Sequence, residues 1–94
     1  MSSLGELRTA IEEVDARLIS VIAERLTLAR AVGQLKAADG EPVLDPAREA
    51  AVVTRVSALS REAGLPADEI RALYWRLLAM SRRAQTAATF TGGA

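Results

Sequence analysis

The sequence predicts an all-α fold with three helices in each chain, one long and two shorter. Apolar residues recur at steps of three and four positions through three segments, and no segment alternates as a strand does. Helix-capping residues and turn signals fall between these segments. Half of the 94 residues are apolar and 26% are charged, which is typical of globular chains. We therefore expect residues 1–94 to form a single helical domain.

The first helix is predicted to run from Ser3 to about Ala38. Ser3 followed by Glu6 is typical of a capping box, and an Asp-Gly turn signal follows Ala38. Arg25 is the one polar residue on the apolar stripe of this helix. The stripe consists of Leu4, Leu7, Ile11, Val14, Leu18, Val21, Leu28, Val32 and Leu35.

Two shorter helices are predicted to follow. Asp45 is a favoured N-cap, the next residue is a proline suited to the first helical position, and Gly64 is a natural stop for this second helix. Pro66 begins the third helix. The tail, residues 89–94, is small and polar, and we expect it to be frayed.

The length of the first helix predicts a homodimer. About 35 residues give a rod of roughly 50 Å, whereas a compact domain of this size is roughly 30–35 Å across. The apolar stripe continues over the overhang, and helices of about 18 and 24 residues are too short to cover it. A second copy of the chain is the simplest cover, so we expect an obligate, two-fold symmetric homodimer with the long helices packed together.

Composition excludes several classes of function. Twelve basic residues balance twelve acidic ones, and only three residues are aromatic, which argues against nucleic acid as a partner. The absence of Cys and His excludes Cys nucleophiles, Ser-His-Asp triads and the usual zinc sites. We expect no signal peptide, because the N-terminal residues lack its basic region and continuous apolar core, and no apolar run in the sequence approaches the length of a membrane span. We expect a cytoplasmic protein with no membrane partner.

Several polar residues lie on faces that should point inward. Arg25 and Lys36 are about 20° apart around the first helix and about 16 Å apart along it. Arg8 is about 25 Å from Arg25 on the same helix, and would approach these cations only from the other chain of an antiparallel dimer. Ser81 and Gln85 lie one turn apart on the apolar face of the third helix.

Each of these residues also has a structural explanation. Arg25 alone would more often pair with a carboxylate or extend its charge to solvent. A lone Arg8 is more simply a solvated surface residue. Ser81 and Gln85 would more often be core polar groups bonded to the backbone.

Taken together, these residues describe a binding pocket. Arg48 and Glu49, in the first turns of the second helix, add a further cation and a carboxylate. The set suits a small dianion or polyanion that carries a hydroxyl group. It offers no evident nucleophile, general base or metal site, so the chemistry of an active site here should be electrostatic and conformational.

From Leu4 to about Ala88 the chain resembles the all-helical class of chorismate mutases. The resemblance rests on LRTAIEEVDARLISVIAERLTLARAVGQLK in the first helix, and then on PVLDPARE and SRRAQ. It implies an intertwined homodimer of three-helix chains with two shared active sites. It also implies the Claisen rearrangement of chorismate to prephenate, in the biosynthesis of phenylalanine and tyrosine, without a cofactor or metal.

The resemblance implies a role for each candidate residue. Arg25, together with Arg8 of the partner subunit, would bind the two substrate carboxylates. Further contacts on the carboxylate side would come from Arg48 and Ser81.

Other matching residues would act at the breaking bond and at the ring. Lys36 and Gln85 match the positions that hydrogen-bond the ether oxygen, and with Arg25 they are the predicted catalytic residues. Glu49 matches the residue that accepts from the ring hydroxyl. Asp45 matches a neighbour that helps through its backbone.

Three other functions remain open. An isochorismate-pyruvate lyase or a 4-amino-4-deoxychorismate mutase would use the same scaffold, and Glu49 would accept from a ring amine as well as from a hydroxyl. The match in PVLDPARE favours the chorismate mutase. A helical dimerisation module without catalysis would explain the long stripe but not the polar residues on inward faces. Some short mutases are boosted by a larger pathway enzyme; no motif marks such a partner, and the C-terminal tail is where we expect its contact.

Overall fold

A computed structural model of the chain describes the backbone of residues 3–92 and the side chains of residues 3–87. It contains helices α1 (Leu4–Asp39), α2 (Pro46–Glu62) and α3 (Ala67–Gly92). The described residues include no strand, so the prediction of one long and two shorter helices is confirmed. Helix α3 begins at Ala67 rather than at Pro66, whose carbonyl oxygen accepts a hydrogen bond from the Ile70 amide at 3.1 Å.

Helix α1 begins at a side-chain cap, and α3 continues to the end of the described backbone. At the start of α1, the side chain of Ser3 accepts a hydrogen bond from the Glu6 amide at 3.1 Å, as expected of the N-cap. At the other end, the backbone of α3 is helical as far as Gly92. The side chains from residue 88 onward, and the whole of residues 93–94, lie outside the described residues. The frayed tail at residues 89–94 therefore stays a prediction.

The connection between α1 and α2 is held at both ends by hydrogen bonds. Gly40 adopts the left-handed conformation (φ 69°) that glycine favours after a helix. The next amide, of Glu41, donates to the carbonyl oxygen of Lys36 at 2.8 Å. The side chain of Asp45 caps α2 by accepting from the Arg48 amide at 3.1 Å. These bonds turn the chain sharply after Lys36 and direct it back toward α2.

Helix α3 packs against both of the other helices, whereas α1 and α2 do not pack directly against each other in the described residues. The result is elongated, with extents of 57 × 29 × 15 Å and a radius of gyration of 16.7 Å. A compact domain of this length would have a radius of gyration of about 12 Å. The elongation follows from α1, which extends beyond the helices that cover it.

The apolar stripe of α1 is largely uncovered in the single chain. Within α1 only Ala29 and Gly33 are buried. The large apolar side chains of the stripe are 44–68% exposed; they are Leu4, Leu7, Ile11, Val14, Leu18, Val21, Leu28, Val32 and Leu35. A continuous exposed apolar surface of this kind marks a site of interaction. No helix in residues 3–92 has both the length and the apolar character needed to cross a membrane.

Helices α1 and α3 come into backbone contact at Gly33. A Cβ atom placed on Gly33 would lie 2.5 Å from the carbonyl oxygen of Gln85 and 2.6 Å from its Cα. Both distances are far inside van der Waals contact, so the helices can approach this closely only because residue 33 has no side chain. The contact fixes the separation of α1 and α3 beside Lys36, which lies one turn further along α1.

We expect Gly33→Ala to destabilise the fold. The added methyl group meets backbone atoms that cannot rotate away, and overpacking of this kind typically costs about 1–3 kcal/mol. Because the clash is with backbone atoms, we expect the upper part of this range, which exceeds the gain of about 1 kcal/mol from replacing a helical glycine by alanine. Urea denaturation at a fixed protein concentration would measure the difference in the free energy of unfolding.

Gly5→Ala provides the matched control. Gly5 is also helical, but the nearest atom to its added Cβ would be Ser3 Oγ at 3.9 Å, an ordinary contact. Its substitution should leave the free energy of unfolding unchanged or raise it by up to about 1 kcal/mol. Equal effects of the two substitutions would contradict the close approach at Gly33.

Candidate active site

A cavity of about 310 Å³ lies between α1, α3 and the start of α2. All of the predicted site residues except Arg8 line it. Its polar lining residues are Arg25, Lys36, Asp45, Arg48, Glu49, Ser81 and Gln85. Its apolar lining residues are Leu28, Ala29, Val32, Val43, Val52 and Leu78. The structure thus brings side chains from three helices and one loop around a single space of small-molecule size.

Arg25 extends from α1 toward α3 and is held there by neutral groups. Its Nη1 donates to Ser81 Oγ at 2.6 Å, and its guanidinium carbon lies 5.7 Å from the centre of the Tyr74 ring. Ser81 is 5% exposed, and its hydroxyl donates to the carbonyl oxygen of Leu77 at 3.0 Å. No carboxylate in the described residues pairs with Arg25. The guanidinium is therefore oriented without being neutralised.

Lys36 is held in the same manner at the other end of the cavity. Its ammonium group donates to the carbonyl oxygen of Val43 at 2.8 Å and to Gln85 Oε1 at 3.0 Å. An ammonium group has three N–H donors, so these two bonds leave one for a ligand. Lys36 also lacks a carboxylate partner in the part of the chain that the structure describes.

The start of α2 contributes both signs of charge. Asp45 is occupied as the helix cap, whereas the resemblance implied a contribution from its backbone. Arg48 is exposed and lines the cavity. Glu49 is half-buried, and its Oε1 accepts a hydrogen bond from Arg82 Nη1 at 2.5 Å.

The charges of the lining favour an anionic ligand. Three cations, Arg25, Lys36 and Arg48, face two carboxylates, one of which caps a helix while the other is paired with Arg82. The apolar lining lowers the local dielectric constant and so strengthens the attraction of these cations for an anion. Among the described side chains, residues 3–87, no group of three or more acidic residues is placed to hold a metal ion.

Arg8 is the predicted site residue that the single chain does not bring to the cavity. It lies on the exposed first part of α1 and is absent from the lining. The helical rise places it about 25 Å from Arg25. Its predicted contribution from a partner subunit stays a prediction.

Three contributors to the site were not predicted from the sequence. They are the carbonyl oxygen of Val43, which accepts from Lys36, the ring of Tyr74 beside Arg25, and Arg82, which pairs with Glu49. Arg82 lies 33 positions from its partner, so no local spacing rule connects them. The available signals were its position next to the inward-facing Ser81 and its place in the segment SRRAQ.

Comparison with known proteins agrees with the resemblance seen in the sequence. The family model described as chorismate mutase type II matches residues 7–86. The chorismate mutase of Methanocaldococcus jannaschii is 37% identical over 62 residues, which are 66% of this chain and 63% of that protein. The T-protein of Haemophilus influenzae is 35% identical over 78 residues, 83% of this chain and 21% of that protein.

A third relative is the bifunctional chorismate mutase/prephenate dehydratase of Aquifex aeolicus, 31% identical over 62 residues, 66% of this chain and 17% of that protein. The chain thus spans less than two thirds of each of these relatives. The family model covers most of the chain, including every residue predicted for the site. The resemblance seen in the sequence is confirmed, and the chain belongs to the chorismate mutase type II family.

Proposed function

We propose that this chain is an isomerase, a chorismate mutase, that converts chorismate to prephenate in the biosynthesis of aromatic amino acids. The observation that carries the proposal is the pair of cations, Arg25 and Lys36, held by neutral partners at separate points of one cavity. Family membership supports the same reaction. Chorismate carries two carboxylates and a ring hydroxyl, which suit a cavity with three lining cations and one accessible carboxylate.

The reaction is unimolecular, and it depends on orientation and electrostatic stabilisation. In the Claisen rearrangement the ether C–O bond breaks while a C–C bond forms within the same molecule, so no nucleophile or general base takes part. The protein must hold the enolpyruvyl side chain over the ring, which is a matter of orientation. It must also stabilise the negative charge that grows on the ether oxygen in the transition state.

Each requirement has a candidate in the cavity. The remaining N–H of Lys36, together with the Gln85 side chain, would stabilise the ether oxygen. Arg25 and Arg48 would bind the carboxylates and orient the side chain over the ring. Glu49 would accept a hydrogen bond from the ring hydroxyl through the oxygen that Arg82 does not occupy.

We propose further that the active unit is a homodimer. The uncovered apolar stripe of α1 supports this, since a second α1 would bury it. In an antiparallel arrangement, Arg8 of the partner subunit would enter the cavity from the side that this chain leaves open. An added cation would complete the recognition of the second carboxylate.

The alternative functions are a non-catalytic dimerisation module and two sister reactions, those of an isochorismate-pyruvate lyase and of a 4-amino-4-deoxychorismate mutase. A non-catalytic dimerisation module is disfavoured because it gives no reason for a cavity lined by three cations that have no carboxylate partner in the described residues. The two sister reactions share the scaffold and are separated by experiment. A cytoplasmic location and activation by a larger pathway enzyme stay predictions.

We expect a proton NMR time course to show prephenate appearing from chorismate, with isochorismate in a parallel sample untouched or slower. Release of pyruvate and salicylate from isochorismate would reassign the chain to the lyase reaction. Absence of turnover with both substrates would contradict the proposed function.

We expect Lys36→Ala to reduce kcat by about 10²–10³-fold, equivalent to about 2.7–4 kcal/mol, because removal of one preorganised donor to a developing oxyanion has this effect. KM should change much less, since the ether oxygen gains its charge only in the transition state. Steady-state kinetics with chorismate would measure both constants.

Arg30→Ala is the matched control for Lys36→Ala. Arg30 is an exposed cation on the same helix and does not line the cavity. It should retain the kcat of the unsubstituted protein. Comparable losses in the two variants would show that a general loss of charge, and not the ether-oxygen contact, is responsible.

We expect Arg8→Ala and Lys36→Ala chains to complement each other when refolded as a mixture. In a shared-site dimer, a mixed pair has one site with both substitutions and one site with neither. Random pairing would therefore restore about a quarter of the sites, although each variant alone is nearly inactive.

Refolding each variant separately, and then mixing the two at the same total concentration, is the control for exchange. Sedimentation would show whether the active species is dimeric. No recovery in a dimeric refolded mixture would mean that Arg8 does not act across the interface, and a monomeric active species would exclude the shared site.

A further inference from the structure

Arg82 binds a residue of the cavity without itself lining the cavity. Its Nη1 donates to Glu49 Oε1 at 2.5 Å. The side chain of Glu49 is 14% exposed and that of Arg82 is 34% exposed, so the pair lies partly within the protein. Glu49 is among the lining residues whereas Arg82 is not. Arg82 can therefore influence a ligand only through Glu49 and through its charge.

We propose that Arg82 is a positioning residue that determines specificity, favouring a substrate with a neutral hydroxyl over one with an ammonium group at the same ring position. The proposal rests on the proposed function, in which Glu49 accepts a hydrogen bond from that ring substituent. Arg82 would select the ring substituent that the site binds, hydroxyl or ammonium. The scaffold alone does not select it, since mutases of chorismate and of 4-amino-4-deoxychorismate would use the same one.

The hydrogen bond from Arg82 fixes the orientation of the Glu49 carboxylate. A carboxylate accepts hydrogen bonds at both of its oxygens. Arg82 occupies one oxygen of Glu49, and the second has no partner in the described residues. A charge-assisted bond of this kind restricts the rotation of the carboxylate. The second oxygen is thereby held in one orientation at the cavity wall.

The charge of Arg82 also affects which ring substituent Glu49 can bind. A hydroxyl donor requires only an oriented lone pair, which the second oxygen of Glu49 supplies. An ammonium group owes more of its binding to the net negative charge of its acceptor. The guanidinium of Arg82 offsets that charge, because it lies against the same carboxylate and would repel a second cation nearby.

Other charged groups at this end of the cavity act in the same direction. Arg48 precedes Glu49 in α2 and also lines the cavity. Asp45 is the other lining carboxylate, and it is engaged in capping α2. The surroundings of Glu49 are therefore cationic on balance, which suits a neutral donor and penalises a charged one.

The test compares chorismate with 4-amino-4-deoxychorismate, in which an amino group replaces the ring hydroxyl. This amino group is protonated at neutral pH and is therefore the ammonium group of the proposal. For each protein, KM for chorismate and the inhibition constant of the amino analogue against it are measured at neutral pH. The selectivity ratio is the inhibition constant divided by KM. We expect this ratio to fall on the order of tenfold in Arg82→Met, because a nearby cation has been removed from a partly screened site.

Two more substitutions separate charge from hydrogen bonding. Arg82→Lys keeps the charge and should keep the ratio near that of the unsubstituted protein. Arg82→Gln keeps a donor to Glu49 but no charge, and its ratio should fall as in Arg82→Met. A ratio that is preserved in Arg82→Gln would overturn the electrostatic assignment.

Arg83→Met is the matched control, since Arg83 is the adjacent, exposed cation on α3 and does not line the cavity. Its ratio should not change. Circular dichroism of each variant shows whether it is folded, and the Gln and Lys variants carry the test should Arg82→Met fail to fold. An unchanged ratio in folded Arg82→Met and Arg82→Gln would overturn the proposal while leaving the mutase reaction intact. Failure of the unsubstituted protein to convert chorismate would overturn both.

Discussion

The backbone contact between α1 and α3 at Gly33 is the constraint on which the site depends. With no side chain at this position, the carbonyl oxygen and Cα of Gln85 approach within distances that a Cβ atom would prevent. Gln85 therefore lies against α1 at Gly33, about one helical turn before Lys36. From there its side-chain oxygen accepts a hydrogen bond from the Lys36 ammonium group at 3.0 Å. A larger separation of the two helices would lengthen this bond and would also open the cavity between them.

Arg25 and Lys36, the two cations on the inward face of α1, are both oriented by neutral hydrogen-bond acceptors. A carboxylate partner would have held Arg25 or Lys36 equally firmly, but it would have cancelled the charge that an anionic ligand needs. Hydroxyl, amide and carbonyl oxygens orient a cation while leaving most of its field directed into the cavity. The one carboxylate that is ion-paired at this site, Glu49, is paired with a cation that lies outside the lining. This division of roles distinguishes a binding site from a structural ion-pair network.

Folding and function are connected through the exposed stripe of α1. Within the described side chains of residues 3–87, the buried apolar residues are few, namely Ala29, Val56 and Leu78. Small domains with little core usually depend on association for their stability. In the dimer that we propose, the surface that stabilises the fold would also bring Arg8 of the partner subunit to the cavity. Stability and catalysis would then depend on the same interface.

The helices were predictable from the sequence because periodicity, caps and breakers act within a few residues. Ser3, Asp45 and Gly64 mark their ends through local backbone chemistry, and the spacing of Arg25 and Lys36 follows from helical geometry alone. The inward-facing polar residues and the family resemblance together supplied the candidate residues, and the cavity contains all of them except Arg8. The partners of those residues arise only when the helices pack. Arg25 meets Ser81 across 56 positions, and Glu49 meets Arg82 across 33. Such pairings depend on how closely and at what angle the helices cross, which no local pattern encodes.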